Sequence, residues 1–169
     1  MVRLGITGTP GTGKTSVSSE LSRITGWKVV HVNDIALEFS IDVYKDSSVI
    51  DVERLEEKLR NIDGNVIFES HLLCEMKLNL DYMIVLRCNP IELKRRLALK
   101  GWDSDKIKTN VEAEYLDYCL IKSERNYPRV FQVDTTNLTP KEVAVRILDI
   151  IKGGKDDDVD WSDQLFKSL

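Results

Sequence analysis

Residues 8–15 read Gly-Thr-Pro-Gly-Thr-Gly-Lys-Thr and satisfy G-x-x-x-x-G-K-[ST] at every specified position. Such a loop works only between the end of a strand and the start of a helix, so the flanks matter as much as the match. A short apolar run, Leu4-Gly5-Ile6-Thr7, precedes it, and a helix-compatible stretch, Thr15–Ile24, follows. Gly8, Gly11 and Gly13 let the backbone curl until successive N–H groups point at anionic oxygens. The helix N-terminus adds its positive end. Lys14 is expected to face solvent without ligand and to reach the β- and γ-phosphates of ATP, while the Thr15 hydroxyl ligates Mg2+.

Around this loop, apolar runs alternate with helical patterns. Strands are predicted at 3–7, 28–32, 65–69, 82–86 and 129–133, and helices near 14–25, 51–61, 90–100, 104–125 and 139–152. That alternation predicts an α/β, three-layer P-loop NTPase fold, a five-stranded parallel sheet with helices on both faces. Asn89-Pro90-Ile91-Glu92 and Thr139-Pro140-Lys141-Glu142 each supply an N-cap, a proline at the first helical position and a glutamate at the third. Residues 39–50 and 100–108 are neither clean strand nor clean helix. One domain over 1–153 is expected, followed at 154–169 by an acidic tail that reads as a solvated run, with Val159, Trp161, Leu165 and Phe166 available for packing on the body.

Bulk properties narrow the functional classes. A net charge of −4 over 169 residues gives no global basic field for nucleic acid, which leaves direct RNA contact dependent on a local patch. No apolar run approaches membrane-spanning length, and no signal-peptide pattern opens the chain. The three cysteines, 74, 88 and 119, lack metal-ligand spacing and fit reduced thiols in a cytoplasmic chain, or a nuclear one in a eukaryote. The guanine-reading N-K-x-D of switch GTPases is absent. Glu69 closes a buried-strand pattern, Asn65–Glu69, where a Mg2+-orienting carboxylate belongs. His71 shares its side of the backbone if the strand continues, whereas His31 reads as structural. Arg87, at the end of a predicted strand, is a candidate for an acceptor phosphate or an ion pair, and the loop 134–137 is expected beside the adenine.

The loop GTPGTGKTS, the acidic-x-His at 69–71, and Arg96-Leu97-Ala98-Leu99-Lys100-Gly101-Trp102 followed by Lys106-Ile107, Asn110 and Glu112-Ala113-Glu114 resemble the adenylate kinase isoenzyme six family. That family includes the coilin-interacting nuclear ATPase and archaeal relatives. The resemblance runs from about residue 2 to about 150 and implies ATP + AMP ⇌ 2 ADP with Mg2+, together with ATPase activity. It also implies a role in small-ribosomal-subunit maturation through a ribosomal protein of the platform. It assigns Gly11, Gly13, Lys14, Thr15 and Ser16 to ATP phosphates, Lys100 to the place of a lid arginine on ATP, and Glu69 and His71 to Mg2+ and water positioning. Arg96, one helical turn before Lys100, is expected on transferring phosphate. Residues of about 31–51 would form the lobe for the nucleoside monophosphate (NMP), and about 99–109 the lid.

Three positions depart from the family pattern. Leu37 stands where the family often has an arginine on the AMP phosphate, Lys100 replaces a bidentate guanidinium by a point charge, and Glu69 replaces the commoner Asp. Two other readings therefore accompany the kinase. One is a ribosome-assembly ATPase switch with incidental NMP turnover, its partner steered by acidic clusters at 156–160 and around Asp42, Asp46, Asp51, Glu53, Glu56 and Glu57. The other is a small-metabolite kinase of the shikimate or gluconate type.

Overall fold

The computed structural model describes residues 1–44 and 47–164, and the side chains of all of these except 41–44 and 47–49. Asp46, Leu165, Phe166 and the side chain of Asp42 lie outside the described residues. The elements are β1 (Arg3–Thr7), α1 (Lys14–Thr25), β2 (Lys28–His31), α2 (Val32–Ala36), β3 (Ser40–Tyr44), β4 (Ser47–Ile50), α3 (Val52–Arg60), β5 (Val66–Glu69), β6 (Tyr82–Arg87), α4 (Pro90–Leu99), α5 (Ser104–Tyr115), α6 (Tyr118–Asn126), β7 (Val130–Asp134) and α7 (Pro140–Ile151). Short 3-10 turns occupy Leu37–Phe39 and His71–Glu75.

Five strands form one parallel sheet in the order β2-β5-β1-β6-β7. With β1 central, the loop that follows it opens at the C-terminal edge of the sheet, where such folds bind ligands. Successive residues of a strand face opposite layers. Leu4, Ile6, Ile67 and Ile84 pack with Val17 and Leu21 of α1 and Val143 and Ile147 of α7. Val66, Phe68 and Met83 pack on the other face with Leu55 and Leu59 of α3. Near-continuous apolar strands are what burial on both faces requires.

The predicted caps form, with one change of partner. Thr139 and Glu142 make a complete capping box at the start of α7. Asn89 caps α4 through Ile91 N–H at 3.0 Å, but the Glu92 carboxylate turns to Arg95 and Arg96. Residues 40–44 and 47–50, unassigned by pattern, form the antiparallel pair β3–β4.

Two expectations are corrected, and one open alternative is decided. The single helix over 104–125 is two, because Asp117 adopts φ 53°, a left-handed conformation that Asp tolerates better than most residues. Its carboxylate there pairs with Arg87. Of the two readings of Arg87, the ion pair is the one found: its side chain is 1% exposed and bonds Glu114 at 2.8 Å and Gln132 at 2.6 Å. The first part of the acidic tail keeps Asp156, Asp158 and Asp160 exposed but is docked on the body rather than free. Asp156 and Asp157 accept the Gln132 and Asp134 N–H groups at 2.9 Å each, and Asp157 N–H donates to Gln132 O at 3.1 Å. These bonds occupy the outer edge of β7, which would otherwise expose unpaired backbone groups. Trp161 is buried, its indole N–H on Glu114 at 3.1 Å.

Replacing Arg87 by Met would leave the Glu114 carboxylate buried without its cation. We expect Arg87→Met to lose about 3–5 kcal/mol in urea denaturation. A residue waiting for phosphate would instead leave stability nearly unchanged.

Candidate active site

The loop after β1 is held from several sides before any ligand arrives. Gly8 has φ 140°, and a Cβ there would lie 2.4 Å from Leu86 O. Gly11, at φ 96°, leans so closely on α4 that a Cβ would meet Leu93 and Leu97 at 2.9 Å. Thr12 Oγ1 donates to Thr9 O at 2.9 Å, and Thr135 Oγ1 donates to Thr12 O at 3.0 Å. Thr9 Oγ1 donates to Glu114 Oε2 at 2.6 Å, which ties the loop to α5. Gly13 begins α1 with no side-chain cap, so the amides of the first turn are not taken by a capping side chain.

Lys14 differs from its expectation. It does not face solvent: it is 8% exposed, and its ammonium donates to Gly8 O at 2.8 Å and Thr9 O at 3.1 Å. Burial lowers its pKa to about 8, with Lys100 adding to the shift and Glu69 opposing it. The lysine thus lies folded over the concavity that its ammonium would share with phosphate oxygens. Lys100 is exposed at the end of α4. Thr15 and Ser16 are exposed on the open turn of α1.

Thr15 Oγ1 lies 3.5 Å from Glu69 Oε2 at the end of β5. A hydroxyl and a carboxylate at the phosphate end of the loop are oxygen donors of the kind a hard cation takes. They fit Mg2+, with further ligands drawn from phosphate and water. Among the described residues no group of three or more His, Cys, Asp or Glu gathers to hold a metal unaided.

The two histidines take different places from those expected. β5 stops at Glu69 and His71 opens the 3-10 turn, so the period-two relation does not apply. His71 lines the cleft beside the loop, where partial desolvation, reinforced by Lys14, lowers its pKa from the usual imidazole value. His31, read as structural, is the histidine that bonds Glu69, with Nδ1 and Oε2 2.8 Å apart. The signal is the β2–β5 register, which pairs His31 with Glu69. Pattern reading supplies strands but no pairing order, so it missed this contact.

Arg96 points at the loop after β7. Its guanidinium donates to Glu92 at 2.8 Å and to Thr135 O and Thr136 O at 3.0 Å each. A cleft of about 570 Å3 separates the loop and His71 from α2 and α5, and includes Leu37, Trp102, Lys106 and Asn110. A second hollow of about 610 Å3 lies between the loop after β7 and the tail residues 156–161.

Comparison with known proteins agrees with this geometry. The family model described as "AAA domain" matches residues 4–117. The "Putative adenylate kinase" of Methanocaldococcus jannaschii is 38% identical, covering 99% of this chain and 97% of that protein. The protein of the same name from Thermococcus kodakarensis is 39% identical over 95% of this chain and 93% of its own length. Among solved structures, YorR of Bacillus subtilis, in complex with phosphorylated GDP, superposes with a TM-score of 0.66 at 14% identity, covering 88% of this chain and 95% of that one. At that identity the likeness concerns the fold.

The Lys14 shift carries a test with two opposite signs. Phosphate favours the ammonium, so ATP affinity should weaken as pH rises past about 8, and Lys14→Met should bind weakly without that decline. Stability of the ligand-free fold should rise from about 8 toward 10.5, because the unfolded chain holds the Lys14 proton more tightly there. Titration calorimetry and thermal melts across pH 7–10 check both, and a flat ATP profile would contradict the assignment.

Proposed function

The chain belongs to the family of adenylate-kinase-like P-loop kinases, and from that premise we propose that it transfers the γ-phosphoryl group of ATP to AMP, releasing two ADP. One observation carries the proposal: Lys14, Thr15 and Glu69 converge at the end of β1 and β5, and the adjoining cleft beside α2 and α5 has room for a second nucleotide.

The chemistry asks the protein for position and charge rather than for a covalent partner. The loop amides and Lys14 would hold the β- and γ-oxygens in place. Thr15 and Glu69 would hold Mg2+, which supplies charge neutralisation between the phosphates when bound. His31 would keep the Glu69 carboxylate turned toward Thr15. His71, on the wall of the cleft, would position a water or an acceptor by a hydrogen bond. Arg96 and Thr135 would shape the loop beside the adenine, and Lys100 would add charge from the end of α4. Residues of about 31–51 would act as the NMP lobe and about 99–109 as the lid, closing against water, which competes as acceptor.

Leu37 favours a second reading. It is 69% exposed on the wall of the cleft, where an arginine would grip AMP. With weak acceptor binding, hydrolysis of ATP would dominate, and the chain would act as an ATPase switch on a small-subunit ribosomal protein. Asp156 and Asp157 are already bonded to β7, which leaves fewer free charges in the tail to steer such a partner.

Product stoichiometry separates the two. Transfer yields two ADP per ATP and requires AMP, whereas hydrolysis yields one ADP and one phosphate without it. We expect AMP-dependent ADP formation, lost with Lys14→Ala and weakened with Glu69→Ala, and a lower KM for AMP in Leu37→Arg because guanidinium binds phosphate bidentately. ADP and phosphate in equal amounts, indifferent to AMP, would establish the switch instead.

A further inference from the structure

The cleft that faces the loop is poor in charge for a site receiving an anion. The wall formed by α2 and the turn after it presents Ala36 and Leu37. Among the described residues that line it, Lys106 of α5 is the only lysine or arginine. The Lys106 ammonium lies 4.3 Å from the centroid of the Trp102 ring. Within 4 Å it meets no carboxylate among the described residues, whereas Lys58, Arg60, Arg95, Arg96 and Lys122 each do. Asn110, one turn along the same face, also lines the cleft, and its amide donates to Lys106 O at 2.7 Å.

Two physical consequences follow. Stacking on an indole favours an extended lysine over the many rotamers a free side chain would sample, which lowers the ordering cost of binding. A cation with no carboxylate partner among the described residues also keeps its charge for an anion entering the cleft, although its exposure leaves that attraction screened by solvent.

From this juxtaposition we infer that Lys106 receives the acceptor's phosphate, from the α5 side of the cleft rather than from α2. The inference rests on the monophosphate-kinase reading above and narrows it. The acceptor class is a compound with a terminal phosphate, not the corresponding neutral alcohol or nucleoside. A lysine is a point charge and reads no phosphate geometry, so choice among nucleoside monophosphates falls to the base. Lys106, Asn110 and Glu114 follow at intervals of four along α5, and Glu114 holds Thr9 of the donor loop. One helix therefore touches both the acceptor phosphate and the loop that binds the donor.

The test is calorimetric titration of the full-length chain, without ATP, using AMP and adenosine as probes. Wild type should prefer AMP over adenosine by about 10- to 100-fold, the range of a hydrogen bond to a charged group. Lys106→Gln should remove that preference while leaving adenosine binding as it was, and Lys106→Arg should keep most of it. An unchanged AMP-to-adenosine ratio in Lys106→Gln overturns the inference. So does an equal loss of ATP affinity, measured separately, which would assign Lys106 to the donor. If wild type makes no AMP-dependent ADP yet its AMP preference vanishes in Lys106→Gln, the kinase reading fails and the phosphate site at Lys106 stands.

Discussion

Glu114, on α5, sits where the phosphate loop, the end of β6 and the C-terminal tail meet. Its buried carboxylate accepts from Thr9 Oγ1 at 2.6 Å, Arg87 Nε at 2.8 Å, Trp161 Nε1 at 3.1 Å and Cys88 N at 3.2 Å. An ionised carboxylate removed from water is expensive unless its lone pairs are filled and a cation is near. Here both conditions hold, and Arg87 is in turn shared with Asp117 and Gln132. Such a network is cooperative, so a loss at one member is felt by the others. The loop cannot move relative to α5, nor the tail leave β7, without disturbing this carboxylate.

That coupling frames the division of labour in the site. The donor side rests on elements locked by packing and backbone bonds: Gly8 against Leu86, Gly11 against Leu93 and Leu97, Thr12 beneath Thr135. The cleft opposite the loop is lined by α2 and the turn after it, with exposed Leu37, and by α5, with exposed Lys106. On the proposed phosphoryl transfer, such a locked loop would preorganise the triphosphate, and the second substrate would complete the enclosure.

The fold was legible because its determinants are local. The five strands of the sheet follow apolar runs, the capping box at Thr139 follows from four consecutive residues, and the phosphate loop follows from eight. The failures share a different cause. The pattern at 104–125 is helical throughout, yet the helix breaks at left-handed Asp117, whose carboxylate pairs with an arginine distant in the chain. The acidic run looks solvated because composition cannot reveal that β7 is an edge strand in need of bonding partners.

The candidate site divides along the same line. Sequence by itself determined that a triphosphate loop exists, that Lys14 and Thr15 belong to it, and that a carboxylate at residue 69 ends a buried strand. Those facts depend on residues adjacent in the chain, whose geometry the backbone dictates. Only the tertiary structure decided that β2 and β5 are neighbours, so that His31, 38 residues before Glu69, bonds it while His71 turns into the cleft. Only it decided that Arg87 is buried among Glu114, Asp117 and Gln132, and that Lys14 is folded onto the loop carbonyls. Charges find partners through space, and in a parallel sheet adjacent strands are joined by crossovers that set sequence neighbours apart.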